Sequence, residues 1–386
     1  NGTNLGSGDD LVETLGLTVE GPLDAHRIQL TAKHPMAEVR LDAKGALTLD
    51  ESQWQGKLGR LDLDMTDWGN WRLKAPVTIL ASPAQAKVAP LCLQDSGTAL
   101  CSELDWQPGG GSAKAALSGF SLERLKRVLP DAVTALSGVI HADVAATLGP
   151  QLSADVDLTL EPGHITYQVD EDREIEITHR GGGVKSSLDQ KQLAANLQLE
   201  VGESGLNGKL TIPRAALDKD PATAPVQGQL DFDFKEWGLI TAFVPVIEES
   251  QGEVRGNLTI DGTVGTPKAA GQVVLDMAKL LIPGLGLDFQ DLKVTVSGAG
   301  DEQLRVVGGV SSGPGRLDVD GEAQLDATRG WPAKLTIKGD RFRAVNLEEA
   351  MVFVSPDLSV SHDDKGLHVR GSVDIPETRI HLNEIP

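Results

Sequence analysis

The chain has 386 residues, a formal net charge of -21 and only 4% aromatic residues. Such an acidic chain lacks the basic field that phosphate backbones require, so we expect no nucleic-acid partner and no electrostatic docking on an anionic membrane surface. No run of 18 or more apolar residues occurs, so no segment is predicted to cross a bilayer as a helix.

Apolar and polar residues alternate along most of the chain, beginning at Leu15, Leu17 and Val19. A period of two predicts strands with one apolar face and one hydrated face. Turn signals separate roughly twenty such strands, and the crossover helices that a parallel sheet needs are missing. We therefore predict an all-β fold built as an elongated, curled antiparallel sheet, with an open groove whose interior is hydrophobic.

The two cysteines lie close together in the sequence. Cys92 and Cys101 flank a short turn rich in Gly, Asp and Ser. An even pair in this setting is typical of a disulfide across a hairpin, and it favours an oxidising compartment. Two unpaired thiols are the alternative.

Two segments have helical patterns, residues 121–129 and 237–244, and each ends at a proline. Ser121 is the predicted N-cap of the first. Each helical segment follows a strand that ends in phenylalanine, Phe120 in the first case and Phe234 in the second. This recurring order indicates a weak repeat of a little over a hundred residues. We therefore divide it into residues 1–115, 116–233 and 234–386, three stretches of one β-groove.

The apolar face of the predicted sheet is too large to be left bare. About twenty strands of six residues would present on the order of 1,900 Å², whereas a soluble monomer exposes patches of a few hundred Å². A second sheet could cover this face, the sheet could close on itself, or the face could form an open trough. The plain aliphatic composition and the absence of linkers favour the trough.

The residues that we expect to line this trough share the apolar parity of their strands. Glycines on the same parity, such as Gly256 and Gly308, could be bulges or could leave room for a bound chain. The predicted lining residues are Leu61, Leu63, Val156, Leu158, Leu160, Leu197, Leu199, Val201, Leu230, Phe232, Val254, Leu258, Ile260, Leu292, Val294, Val296, Leu317, Val319, Leu367, Val369 and Val373.

No constellation of residues with catalytic spacing was found, so an enzyme is not expected. The eight histidines are scattered, and the Gly-rich stretch at 181–186 lacks the residue order and the following helix of a phosphate loop. No metal site and no cofactor are predicted.

Particular stretches resemble a known family. Residues 252–267, the Leu-Ile-Pro-Gly-Leu-Gly-Leu stretch at 281–287 and the Gly-Trp-Pro stretch at 330–342 are similar to the TamB family, relatives of the AsmA proteins. The resemblance implies a β-groove that crosses the periplasm in a protein anchored in the inner membrane of a Gram-negative bacterium. It also implies contact with the outer-membrane protein TamA through a C-terminal domain. We expect this chain to be an internal fragment, with the anchor and that domain outside it.

Two functions follow from the pattern and the resemblance. The first is a groove that carries phospholipids towards the outer membrane without chemistry of its own. The second is an assembly factor that pairs its sheet edge with strands of outer-membrane β-barrel proteins. A structural spacer with a dry, self-packed interior is the third hypothesis.

Overall fold

The computed structural model describes residues 2–7, 10–170, 173–235, 249–326 and 329–380. Within them, 27 strands belong to one hydrogen-bonded sheet. Every pairing whose register is described is antiparallel, as in the long ladder that joins residues 249–262 to 267–282. The all-β antiparallel fold predicted from the alternation is therefore confirmed.

The strands follow one another with short turns, as the closely spaced turn signals predict. The first ten are β1 (Gly2–Ser7), β2 (Asp10–Glu20), β3 (His26–His34), β4 (Ala37–Thr48), β5 (Gln53–Met65), β6 (Gly69–Leu73), β7 (Val77–Ser82), β8 (Gln85–Asp95), β9 (Thr98–Gln107) and β10 (Gly110–Ser121). The next eight are β11 (Val133–Leu136), β12 (Val139–Leu148), β13 (Ser153–Leu160), β14 (Gly163–Asp170), β15 (Arg173–Leu188), β16 (Gln192–Val201), β17 (Ser204–Pro213) and β18 (Gln227–Phe234). The last nine are β19 (Glu249–Gly262), β20 (Pro267–Ile282), β21 (Leu287–Asp301), β22 (Gln303–Ser312), β23 (Gly315–Gln324), β24 (Ala333–Asp340), β25 (Phe342–Asn346), β26 (Ala350–Asp363) and β27 (Gly366–Ile380).

The described strands outnumber the roughly twenty predicted because several long strands are interrupted. Pro76 separates β6 from β7, and Pro162 separates β13 from β14. Proline has no N–H to donate to a ladder. Two other interruptions, between β11 and β12 and between β24 and β25, lie at residues with positive φ, Gly138 (134°) and Arg341 (47°). At the break between β11 and β12 the two halves pair with different neighbours, since β11 pairs with β14 and β12 pairs with β10 and β13.

The first predicted helical segment is shorter than expected. Residues Leu122–Val128 form a 3₁₀ helix within the predicted segment 121–129, and the N–H of Glu123 donates to Ser121 Oγ at 3.3 Å. The predicted helix at 237–244 lies outside the described residues. One α-helical turn, α1 (Arg214–Leu217), and 3₁₀ turns at Pro221–Thr223 and Pro283–Leu285 were not predicted.

The chain packs as two units. Unit 1 comprises residues 1–124, 138–161 and 183–190, and unit 2 comprises residues 125–137, 162–182 and 191–386. These boundaries differ from the three predicted stretches, which stay a prediction. In the described residues of each unit, close backbone approaches between elements are almost wholly between hydrogen-bonded neighbouring strands.

Fully buried apolar side chains form small, separate clusters. One in unit 1 contains Ala43, Leu58 and Val77. In unit 2, Ile212, Ala224 and Val226 cluster beside α1, and Met277 contacts Leu280. Two packed sheets would bury a continuous layer of inward side chains. The clusters of the described residues are too local to be such a layer.

Candidate functional site

An unbroken row of apolar residues crosses the sheet of unit 2. Each member lies directly opposite the next in the antiparallel ladders, and we call this set the central row. It consists of Leu199, Leu206, Phe232, Gly256, Val273, Val296, Val306, Gly321, Leu335, Val360 and Val369.

A second row runs beside the central row on the same parity of the strands. It consists of Phe234, Val254, Leu275, Val294, Gly308, Val319, Ile337, Leu358 and Gly371. Because side chains alternate between the two faces of a strand, both rows lie on one face. A slip of one residue in a ladder would move the apolar side chains of that strand to the other face and bring mainly polar or charged ones in their place.

Glycines in these rows accommodate larger neighbours. A Cβ atom at Gly256 would lie 2.3 Å from the ring of Phe232, and one at Gly308 would lie 3.0 Å from Val294 Cγ2. At these two positions the room beside the backbone is therefore filled by a neighbouring side chain. Gly371 has a φ of 139°, and its Cβ would lie 2.1 Å from the carbonyl oxygen of Asp357.

The predicted lining residues are only partly buried. None of them belongs to the fully buried core of the described residues. The predicted residues are half-buried on β5, β13, β16, β18, β19, β21 and β23. On β27, Leu367 is 67% exposed, Val369 55% and Val373 48%. Half-burial is the state expected of side chains covered by their neighbours in the sheet but by no second layer.

Several predicted residues of unit 2 meet in an apolar cleft of about 430 Å³. Leu199 and Val201 come from β16, Phe232 from β18 and Val254 from β19. Leu206, which the sequence analysis did not single out, also lines the cleft, together with Phe234, Ser204 and Gly205. Cavities that hold small molecules are typically of this size and are mostly apolar.

The face in unit 1 has the same construction. Leu17, Leu30, Leu41 and Leu61 are successive cross-strand partners from β2 to β5. A further row on β9, β10, β12 and β13 consists of Leu100, Leu117, Ala142 and Leu158. Leu63 lies opposite Trp71, Val156 opposite Val144, and Leu160 opposite Ile140.

The two cysteines form a disulfide between β8 and β9. Cys92 and Cys101 are cross-strand partners, and their Cα atoms are 4.0 Å apart. The bond closes the hairpin around Ser96 and Gly97, the turn residues with positive φ.

Ionic side chains occupy the other face and the ends of the strands. Asp95, at the end of β8, accepts a hydrogen bond of 2.7 Å from Arg124, which also donates to the carbonyl oxygens of Asp95 and Trp68. Burial opposes the charged form of Asp95, but the hydrogen bonds from Arg124 and Ser96 and the charge of Arg124 outweigh it and lower the pKa of the carboxyl. This ion pair fastens the 3₁₀ helix to the neighbouring strands of unit 1.

The structure brings together polar residues that the sequence analysis left scattered. Ser137 Oγ lies 2.8 Å from His164 Nδ1, and the buried His179 contacts the carbonyl oxygen of Ser137 through Nε2, at 2.8 Å. These contacts lie where β11 and β12 meet, and no carboxylate of the described residues joins them. Spacing could not reveal the cluster, because Ser137 lies between β11 and β12 whereas His164 lies on β14 and His179 on β15.

The described residues contain no cluster of three or more His, Cys, Asp or Glu side chains that could hold a metal ion. Nor is any helix of the described chain both long enough and apolar enough to cross a membrane.

Comparison with known proteins connects this sheet to a family. The profile described as "TamB, N-terminal domain" matches residues 1–275, and that described as "TamB C-terminal domain" matches residues 307–386. A curated relative, "Translocation and assembly module subunit TamB" of Haemophilus influenzae, is 18% identical over 386 residues. The match covers 98% of this chain but only 29% of that protein's length. No solved structure matches significantly.

The match at residues 307–386 differs from our expectation that the C-terminal domain lies outside this chain. Alternation alone could not mark that boundary, because the same pattern continues from β19 to β27. Since the N-terminal profile covers well over half of the residues, the chain belongs to the TamB family.

Proposed function

We propose that the aliphatic face binds the acyl chains of phospholipids and lets them move along the sheet while their head groups stay in water. The observation that carries this proposal is the pair of unbroken apolar rows in unit 2, whose residues are half-buried from β16 to β26, with none of them in the fully buried core of the described residues. No chemical step is required, because the hydrophobic effect binds hydrocarbon without directional contacts.

The dimensions of the rows suit this ligand. The central row passes over eleven strands, so at about 4.8 Å between strands it is about 48 Å long. The hydrocarbon core of a bilayer is about 30 Å thick, or about 15 Å for each leaflet. A row of this length therefore exceeds the reach of one acyl chain, as a path for movement requires.

The setting of this function is proposed from the family and the disulfide. We place the chain in the periplasm, within a protein anchored in the inner membrane of a Gram-negative bacterium, where it carries phospholipids towards the outer membrane. The relative's printed name describes a subunit of a translocation and assembly module. We propose TamA as the partner, through regions outside this chain. The disulfide agrees with an oxidising compartment.

The first prediction tests acyl-chain binding in the cleft. Leu199→Asp places a carboxylate among Leu206, Phe232 and Val254. We expect binding of a fluorescently labelled phospholipid to weaken by about tenfold or more, because one apolar side chain contributes about 1.5–3 kcal/mol and a charge there must be desolvated.

The matched control is Asn196→Asp on the same strand. Asn196 is exposed and lies opposite Lys209, so the Asn196→Asp substitution adds the same charge on the hydrated face. Binding should stay within twofold of the original chain. Equal binding by the Leu199→Asp protein, with an unchanged melting temperature, would refute the proposal.

A specific observation also favours the second function, assembly of outer-membrane β-barrel proteins. Strand β27 has 15 residues, and among the described strands it pairs only with β26. Almost all of its side chains are exposed. If the second edge of β27 is unpaired in the full-length protein, it would offer backbone groups to an incoming strand. Crosslinks from β27 to an unfolded outer-membrane protein, without co-purified lipid, would favour this function over the first.

A further inference from the structure

Arg343, on β25, is a partly buried arginine that has no carboxylate within 4 Å among the described residues. The other partly buried arginines in the described part of the chain are Arg40, Arg124 and Arg214, and each of them forms an ion pair. In a chain with a net charge of -21, a half-buried cation without an anionic partner is unexpected. Burial of an unpaired charge is costly.

The guanidinium group of Arg343 is held in position on two sides. Its Cζ lies 6.0 Å from the ring centroid of Phe353, which is only 5% exposed. A Cβ atom at Gly313 would lie 2.5 Å from Arg343 Nε, so the backbone of this glycine packs against the guanidinium plane. Nη1 donates to Asn346 Oδ1 at 3.2 Å. The group is thus oriented before any ligand arrives.

A second guanidinium shares the same ring. Arg341 Cζ lies 5.6 Å from the centroid of Phe353. Arg341 Nη2 donates to Glu377 at 2.7 Å, and Arg379 Nε donates to the same carboxylate at 2.7 Å. These hydrogen bonds, from Arg341 first and then Arg379, lower the pKa of Glu377. Arg341 and Arg379 therefore share one carboxylate, and Arg343 pairs with none of the described carboxylates. Asp340 is also near, since it accepts a hydrogen bond from Ser355 Oγ at 3.3 Å, so three cationic side chains stand against two anionic ones.

This geometry points to a site on β25 and β26, formed by Arg343 and Arg341 around Phe353, that binds the phosphate group of a phosphate monoester or diester. A guanidinium fork matches phosphate oxygens in a bidentate manner. Arg343 Nε is buried and has no hydrogen-bond partner among the described residues, so a ligand would meet the terminal nitrogens of the guanidinium group. Two neighbouring guanidinium groups suit a ligand that has several anionic oxygens better than a single carboxylate. The phosphate can belong to a free metabolite or to a lipid head group.

This site is distinct from the aliphatic face, and its occupancy does not depend on acyl-chain binding. Arg343 and Phe353 are cross-strand partners, as are their sequence neighbours Phe342 and Val354. Because successive side chains point to opposite sides of a strand, the arginine site lies on the side opposite to Phe342. Phe342 packs against Phe289, with centroids 5.7 Å apart.

The test is isothermal titration calorimetry on the 386-residue chain in a low-salt, phosphate-free buffer. The probes are inorganic phosphate, glycerol 3-phosphate and monomeric dihexanoyl phosphatidylglycerol. We expect Arg343→Gln to weaken binding by about tenfold or more, since a hydrogen bond to a charged group is lost. Arg343→Lys keeps the charge but loses the fork, and should weaken binding severalfold.

Arg370→Gln is the matched control, because Arg370 is exposed on β27 and belongs to the same sheet. Its affinities should stay within twofold of the original chain. Binding of inorganic phosphate and glycerol 3-phosphate would show that a free phosphate group is a sufficient ligand. Binding of dihexanoyl phosphatidylglycerol alone would show that the ligand is a lipid head group. Three results would overturn the proposal: no binding of any probe, equal binding by Arg343→Gln with an unchanged melting temperature, or an equal loss in Arg370→Gln.

Discussion

At the scale of single residues, the ion pair of Asp95 and Arg124 shows how the strand ends of unit 1 are held. The side chains are 10% and 17% exposed, far less than those of the surface pair Lys87 and Asp105 at 63% and 59%. Ion pairs exposed to water contribute little to stability, whereas loss of one partner from a shielded pair leaves an uncompensated charge. The shielded pair should therefore matter more.

We predict that Asp95→Asn lowers the free energy of unfolding of unit 1 by about 2 kcal/mol at pH 7. The pKa of Asp95 is lower in the folded chain than its ordinary value, so its stabilisation is present above about pH 4 and is lost as the pH falls through the folded pKa. The two proteins should thus converge in acid.

Urea unfolding followed by tryptophan fluorescence measures this effect, because four of the six tryptophans lie in residues 1–124. Asp105→Asn serves as the control and should leave the transition unchanged. A difference between Asp95→Asn and the original chain that persisted undiminished at pH 2 would contradict the assigned role of the carboxylate.

Some contacts of single residues could not be predicted from the sequence. The alternation placed Phe232 and Gly256 on the apolar parity, but only the register of β18 and β19 puts the ring over the glycine. Likewise, Arg343 looks like any outward strand arginine in the sequence. Its lack of a carboxylate partner depends on which residues of β22, β23 and β26 surround it, and strand pairing decides that.

At the scale of elements, the period of two was sufficient to find strands but not their interruptions. Residues 53–65 and 85–95 each form one strand, whereas β6 and β7 are short pieces that both pair with β5 and β8. A break depends on how a proline or a positive φ is accommodated by both neighbouring strands. A local pattern does not contain that information.

The prediction at this scale concerns the edge of strand β27. A photo-crosslinking residue at Ser372 should capture an unfolded outer-membrane protein if the edge templates incoming strands. The same residue at Gln272 on β20, which is paired on both sides, should capture much less. Equal yields at both positions, or none at either, would argue against strand addition at this edge.

At the scale of the whole molecule, the described chain is stabilised mainly by ladders between neighbouring strands. Its buried clusters are small, and each unit keeps a broad apolar face that is only half-buried. Such a face is a liability in water unless something covers it. Phospholipid acyl chains are the cover that we propose.

If acyl chains travel over the faces of both units, a charge in either unit should stop transport. We predict that Leu158→Asp in unit 1 and Leu258→Asp in unit 2, each in the full-length protein, abolish arrival of pulse-labelled phospholipid in the outer membrane. The adjacent exposed positions provide controls, since Thr159→Asp and Thr259→Asp put the same charge on the hydrated face. Normal transport by either leucine variant at a normal protein level would count against a single path.

Local patterns in the amino-acid sequence were enough to predict that this chain is all-β, that its strands have one apolar face, and that it resembles the TamB family. These properties depend on a period of two and on short motifs, which are local. The three-dimensional fold was needed to establish which strands pair, that the apolar residues join into rows, and that these residues are not fully buried. Pairing joins residues far apart in the chain, and its free energy depends on whole ladders in register, so no local pattern specifies it.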